Sequence, residues 1–268
     1  MKRIAILVAL VFWAGIALAQ TASPKRPSTP AEQSAVIEKV RDHALSYTKE
    51  LPNYICTQRT RQMIQQGTVL GQLRTGLDLI EEQVTFADNR ETRRVVSLNG
   101  QPVAADSPEQ QRGTPSRGEF GSFLEVIFDP QTSANLKWER PTTLDRRPVY
   151  VFSYRVPQSK GYTLTESKQQ IQVPYRGLVY ADAETLTVVR IEMKVTPQDI
   201  PKGSEYVKAV LTLDYKPAQV AGKEFVLPGH FSLHYQMMQG MAWYEAEYTN
   251  YRKFGADATI QFEGDKNQ

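Results

Sequence analysis

Glu245 and Glu247 stand two apart in a run, Met241 to Phe254, that reads as a strand, so both carboxylates share one face about 7 Å apart. That spacing suits an inverting glycosidase pair, and Trp243 lies on the same face as a platform for a sugar ring. The plainer reading is a solvated strand face with alternating glutamates, because a catalytic pair normally comes from different strands around a cleft. His230 and His234 are four apart, a spacing that would let them share a metal on a helix. They sit instead in a strand-like segment, where four residues span roughly 13 Å, too far for one ion. The third histidine, His43, falls on the first helix, so no metal site is expected.

Ser46-Tyr47-Thr48-Lys49 matches the S-x-x-K start of a penicillin-binding serine site, but the partner motifs S-D-N and K-T-G are absent, leaving a polar helix face. No glycine-rich phosphate loop, nucleophile elbow or zinc-type His-Glu motif occurs, and no cofactor is expected. Cys56 is alone, which excludes an internal disulfide and reads as a small buried hydrophobe.

Two further groups of residues are candidates for binding. Arg59, Arg61 and Arg74, with Arg90, Arg93 and Arg94, place guanidinium groups on the first three strands. Charged surface strands resist aggregation; the sharper reading is recognition of anionic lipid headgroups or a partner, with Arg59, Arg61, Arg74 and Arg93 as contacts. Phe120, Phe123, Leu124, Ile127 and Phe128 occupy i, i+3, i+4, i+7 and i+8 of a short helix. Such a face belongs in a core, or forms a movable plug over an apolar cavity.

The elements that must position these residues follow from capping and periodicity. Thr29-Pro30-Ala31-Glu32 is a capping box with proline at the first helical position, and Val36, Val40, Ala44, Tyr47 and Leu51 form one apolar stripe that Pro52 ends. Ser116-Arg117-Gly118-Glu119 has the same form ahead of the phenylalanine helix, which Asp129-Pro130 stops. Between the helices, Tyr54 to Gln65, Gly71 to Thr85 and Arg90 to Leu98 read as strands turned at Gln66-Gly67 and Ala87-Asp88-Asn89, with a hairpin signal at Asn99-Gly100. Ala104 to Arg117 is polar and long for an internal loop, so it reads as disordered or as a lid.

From Leu136 onward strand follows strand: 136–142, 148–156, 162–173, 177–182, 186–196, 205–216, 224–237 and 241–254, with Asp182-Ala183-Glu184-Thr185 as a turn between two paired strands. No strand is long and continuously apolar, which excludes a parallel sheet. An outer-membrane barrel is excluded by Lys168, Arg190, Glu192, Lys194 and Lys208, which leave no continuous lipid-facing band. The expected fold is mainly β (α+β): a curved antiparallel sheet or incomplete β-barrel of about eleven strands, with an N-terminal helix and a second helix on its concave face.

Lys2-Arg3, the apolar run Ile4 to Ile16 and Ala17-Leu18-Ala19 read as a secretory signal peptide over residues 1–19. No cysteine near Gln20 offers a lipidation site. The whole chain of 268 residues carries 32 Lys+Arg against 29 Asp+Glu, and removal of Lys2 and Arg3 brings the balance close to neutrality. A near-neutral exported chain lacks the basic footprint of nucleic-acid binding, and no second apolar run is long enough for a transmembrane helix. Residues 20–31, proline-rich, read as a disordered spacer, 32–263 as a single domain and 264–268 as a polar tail.

At Ser116 to Leu124 (SRGEFGSFL), Phe152 to Pro157 (FSYRVP), Tyr175 to Thr185 (YRGLVYADAET) and Tyr251 to Phe262 (YRKFGADATIQF) the chain resembles a family of bacterial exported proteins with no known activity. In general plan that family is similar to the periplasmic outer-membrane lipoprotein-sorting (LolA-like) half-barrel carriers. The resemblance implies an incomplete barrel around helices, an apolar cavity for acyl chains, and a non-enzymatic carrier of a lipid or lipidated partner in the periplasm or outside the cell. It implies no site residues by motif. If the carrier plan holds, Phe120, Phe123, Leu124, Ile127 and Phe128 form the plug and the preceding loop the lid. The competing readings are an envelope adaptor or stress sensor that binds another protein through the same sheet, and a glycan hydrolase using Glu245 and Glu247.

Overall fold

The computed structural model describes residues 27–67, 73–88, 90–113, 119–166 and 169–255. The expected signal peptide, the 264–268 tail, residues 68–72 and Ser116 to Gly118 of the second capping box lie outside them. The first helix, α1 (Pro30–Glu50), is capped as its sequence dictates: Glu32 N–H donates to Thr29 Oγ1 at 3.2 Å, and Thr29 N–H donates to Glu32 Oε2 at 3.0 Å. Its stripe lies against the sheet, with Val40 and Ala44 buried.

Thirteen strands follow: β1 (Tyr54–Gly67), β2 (Leu73–Ala87), β3 (Arg90–Leu98), β4 (Gln101–Pro102), β5 (Asn135–Leu144), β6 (Arg147–Val156), β7 (Tyr162–Glu166), β8 (Gln169–Val173), β9 (Tyr175–Asp182), β10 (Val188–Val195), β11 (Tyr206–Val220), β12 (Lys223–Met237) and β13 (Gly240–Lys253). Eleven form one antiparallel sheet in the order β4-β3-β2-β1-β13-β12-β11-β10-β9-β6-β5, and β7 pairs with β8 separately. The protein is mainly β, and the large sheet is not closed into a barrel. β1 and β13, far apart in sequence, are neighbours in its middle.

Local signals explain most turns. Asn99 (φ 51°) and Gly100 (φ 79°) both take left-handed backbone and join β3 to β4, as a two-residue hairpin requires. The Asp182 carboxylate accepts from the backbone N–H groups of Glu184 and Thr185, both at 2.9 Å, which shapes the β9–β10 turn. Elsewhere the structure corrects the sequence reading. β1 and β2 continue their ladder through Gln66↔Arg74 and Gly67↔Leu73, so Gln66-Gly67 is strand and not turn. The expected strand 162–173 is the β7–β8 hairpin. β11 runs past Lys216 through Pro217, which it tolerates because β10 pairs with it only as far as Asp214, leaving Pro217 on a free edge.

One face of the sheet is covered; the other is largely open to solvent, apart from a small buried cluster of Val149, Val151 and Val189 near one edge. Phe152 and Tyr154 of β6, Leu211 and Leu213 of β11, Phe231 and Leu233 of β12 and Ala246 of β13 all project to the covered face. Three pieces cover them: α1, a second helix α2 (Ser122–Phe128), and the β7–β8 hairpin, whose Leu164 and Val173 are buried. Tyr162 on β7 ties the hairpin down through a 2.6 Å hydroxyl contact with Tyr235 of β12. The segment expected as a lid is seated elsewhere in its described part. Gln110 accepts from Val95 N–H at 2.9 Å and donates to Val95 O at 2.8 Å, which caps the outer edge of β3 as another strand would.

Candidate functional site

All five apolar residues of the phenylalanine segment are buried: Phe120, Phe123, Leu124, Ile127 and Phe128. The helix itself is shorter than their spacing predicts. It begins at Ser122 with Gly121 (φ 145°) as its N-cap, and Phe120 sits in the turn ahead of it. The Phe120 ring packs 5.7 Å from Tyr54 and edge-on to Tyr248 at 5.4 Å.

The reason for the late start lies in Glu119. Its carboxylate does not cap the helix but accepts from Arg93 at 2.7 Å, with the two side chains 0% and 7% exposed. Arg93 also donates to Gln58 at 2.6 Å and to Glu91 at 2.5 Å, and the Tyr215 hydroxyl donates to Glu119 O at 3.0 Å. Burial opposes the charge on Arg93, but Glu119 and the other surrounding groups outweigh it and hold the guanidinium protonated beyond its usual range. The start of α2 is therefore fastened to β3 and β11 by polar contacts inside the protein.

α2 separates two spaces. On one side, between it, α1 and the adjoining parts of β10, β11 and β12, is a cavity of about 250 Å³, lined by apolar Leu51, Leu124, Val188 and Phe225. His43 and Glu50 of α1 stand at its rim. On the other side, Phe123 and Val126 face an open groove of about 590 Å³ whose far wall includes Tyr162 and Tyr175. Phe120, Ile127 and Phe128 belong to the packed core and line neither space.

The four arginines expected to act together are divided between the faces. Arg59 and Arg61 point to the open face, where Arg59 pairs with Glu81 at 3.2 Å and Arg61 is exposed. Arg74 is exposed at the far end of the ladder, with the opposite strand parity. Arg93 is buried, so no headgroup or partner reaches it in this structure. That side of the expectation is corrected by burial and by its carboxylate partners.

Glu245 and Glu247 do share a face, the open one. Glu245 accepts from Trp243 Nε1 at 2.5 Å and from Ser232 at 2.9 Å, and it meets His230 at 2.8 Å and His234 at 3.3 Å. Partial burial opposes ionisation, but these hydrogen bonds outweigh it and hold the carboxyl below its usual range. A glycosidase's general acid needs the reverse. Among the described residues no group of three or more His, Cys, Asp and Glu is placed to hold a metal ion. The Glu245 cluster escaped the sequence reading, although the β12–β13 hairpin register, Ser232↔Glu245 and His230↔Glu247, is the signal that would have found it. The Arg93–Glu119 pair has no such local signal.

The protein is an open antiparallel sheet whose covered face is packed by two helices and a hairpin. The chain aligns along most of its length with solved structures of low sequence identity. It is similar to a LolA superfamily protein from Nitrosomonas europaea (TM-score 0.37, 10% identity, 83% of this chain and 94% of that one). It is also similar to a DUF1329 family protein from Desulfovibrio piger (TM-score 0.36, 10% identity, 84% and 95%) and to the lipoprotein LppX from Mycobacterium tuberculosis (TM-score 0.29, 10% identity, 85% and 98%). No family model and no curated protein matches the sequence. Among the described residues no helix is long and apolar enough to cross a membrane.

Proposed function

We propose that this protein is an exported, non-enzymatic carrier that holds the acyl chain of a lipid or lipidated partner between α1 and α2. The observation that carries the reading is the cavity beside Leu124: apolar walls from Leu51, Val188 and Phe225 under a rim with His43 and Glu50, the polarity order of an amphiphile. Its volume, about 250 Å³, lies below the roughly 300–1,000 Å³ of typical ligand pockets. It therefore takes the end of one chain as it stands, and deeper entry requires α2 to move. Phe123 and Leu124, which face the groove and the cavity, are the proposed ligand contacts, and α2 as a whole is the plug.

Lipid mass spectrometry of the purified protein, with titration of a fluorescent fatty acid, tests this. Bound acyl species or saturable uptake is expected, and Leu124→Trp, which fills the cavity, should abolish uptake while leaving the fold intact by circular dichroism. Absence of both bound lipid and uptake, or uptake indifferent to Leu124→Trp, would sink the carrier reading.

A further inference from the structure

Large exposed apolar side chains are concentrated in one place. Leu77 (72% exposed), Leu79 (39%), Met238 (73%), Met241 (44%) and Trp243 (40%) are five of the six such side chains among the described residues, and they lie on or at the end of β2, β12 and β13. Register brings them together. Leu77 is directly opposite Met63, Met63 opposite Trp243, and Trp243 opposite His234, so one row crosses four strands on the open face, about 15 Å wide. Leu79 and Met241 stand one position to either side of that row. The open face of an antiparallel sheet is ordinarily polar, and further along these strands it is, with Arg59, Glu247, His230 and Asp214 on successive strands. The apolar end is a patch of the kind that marks an interaction site.

The charges around it choose the partner. Arg61, Lys194 and Lys208 border the patch, are exposed, and have no ion pair among the described residues. The carboxylates within it are already engaged: Glu245 by Trp243, Ser232 and the two histidines, Glu81 by Arg59, and Glu192 by the Tyr180 hydroxyl at 3.0 Å. Glu247 and Glu205 are exposed at the margin, which makes the attraction moderate. We propose that this face docks on the surface of an anionic lipid bilayer, with Leu77, Met241 and Trp243 entering the headgroup boundary and Arg61, Lys194 and Lys208 meeting lipid phosphates. Tryptophan is suited to that depth, apolar in its ring and polar at its nitrogen. The proposal is independent of the carrier reading, because the patch lies on the opposite face of the sheet from the cavity.

The test is co-sedimentation of residues 20–268, in which Trp138 and Trp243 are the tryptophans, with vesicles of phosphatidylglycerol and phosphatidylcholine or of phosphatidylcholine alone. Binding to the anionic vesicles is expected, with a blue shift in tryptophan emission that Trp243→Tyr removes. Leu77→Asp, at a site already exposed, should weaken binding about tenfold, and Arg61→Glu with Lys208→Glu by at least as much, each basic residue near a surface being worth roughly a factor of five. Fatty-acid uptake should be unchanged in these variants, which separates failure here from failure of the carrier reading. No association with either vesicle, association indifferent to Leu77→Asp, or a dimer in light scattering that Leu77→Asp dissolves would overturn the proposal; the last would show that a second copy covers the patch.

Discussion

The Arg93 guanidinium and the Glu119 carboxylate meet at 2.7 Å on the covered side of the sheet, both closed off from water. Removing one partner of such a pair leaves an uncompensated buried charge, at a cost of roughly 3–5 kcal/mol. Arg93→Met strands the fully buried Glu119 carboxylate and also removes the ion pair to Glu91, whereas Glu119→Gln leaves Arg93 with Glu91. Urea unfolding should therefore show the larger loss for Arg93→Met, and the double variant Arg93→Met/Glu119→Gln should lose less than the sum of the two single changes. Strict additivity would show that the two side chains do not depend on each other.

His230 gives the open face a pH dependence. Asp214, 3.7 Å from its Nδ1, and Glu245 raise its pKa above 6.5 against the partial desolvation that lowers it. A group raised on folding stabilises fully below its unfolded pKa and loses that contribution as pH rises through the folded value. Glu245, lowered from 4.5, behaves in the opposite sense and contributes above that value. The pair is therefore strongest between about pH 5 and 6.5. Because both groups are about one-third exposed, the effect should stay under about 1 kcal/mol. The melting temperature of the wild type should exceed that of His230→Gln at pH 5.5 by more than at pH 8; an equal difference at both would refute the coupling.

Gly177 is opposite both Tyr154 and Met193 on the covered face. A Cβ there would lie 1.7 Å from Glu192 O and 2.9 Å from the Tyr154 hydroxyl, which itself donates to Glu192 O at 3.0 Å. Gly177→Ala should destabilise by roughly 1–3 kcal/mol, as overpacking does. Adding Tyr154→Phe should not restore stability, because the tighter obstacle is a backbone carbonyl. Rescue by that second change would place the strain in the tyrosine instead.

Cys56 is buried on β1, and burial pushes its thiol up to about 12. A neutral, shielded thiol is a poor nucleophile. Native protein at pH 8 should react negligibly with a disulfide reagent and release one equivalent after denaturation; fast labelling of the native state would contradict the packing around Cys56.

Several elements were legible because their causes are local. The Thr29 and Glu32 cap, the Asn99-Gly100 hairpin, the Asp182 turn and the alternation along β6 and β11 each depend on residues a few positions apart. The apolar character of the 120–128 segment was equally plain. The start of its helix was not, because Glu119 reads as half of a capping box until Arg93 claims its carboxylate. Between β7 and β8 the sequence Ser167-Lys168 has no glycine, proline or asparagine to announce a break in the strand.

What the sequence determined by itself is most of the strands and helices and which side chains lie on alternate faces within each. Only the tertiary structure decided which of those faces is covered. Arg59 and Arg61 on β1 and Arg93 on β3 look equivalent in composition and spacing, yet the pairing Gln58↔Glu82 and Val84↔Arg93 turns Arg93 inward toward Glu119 while the other two meet solvent. Strand parity is a property of neighbours along the chain; the face a parity reaches depends on register across strands and on the helices that close over it.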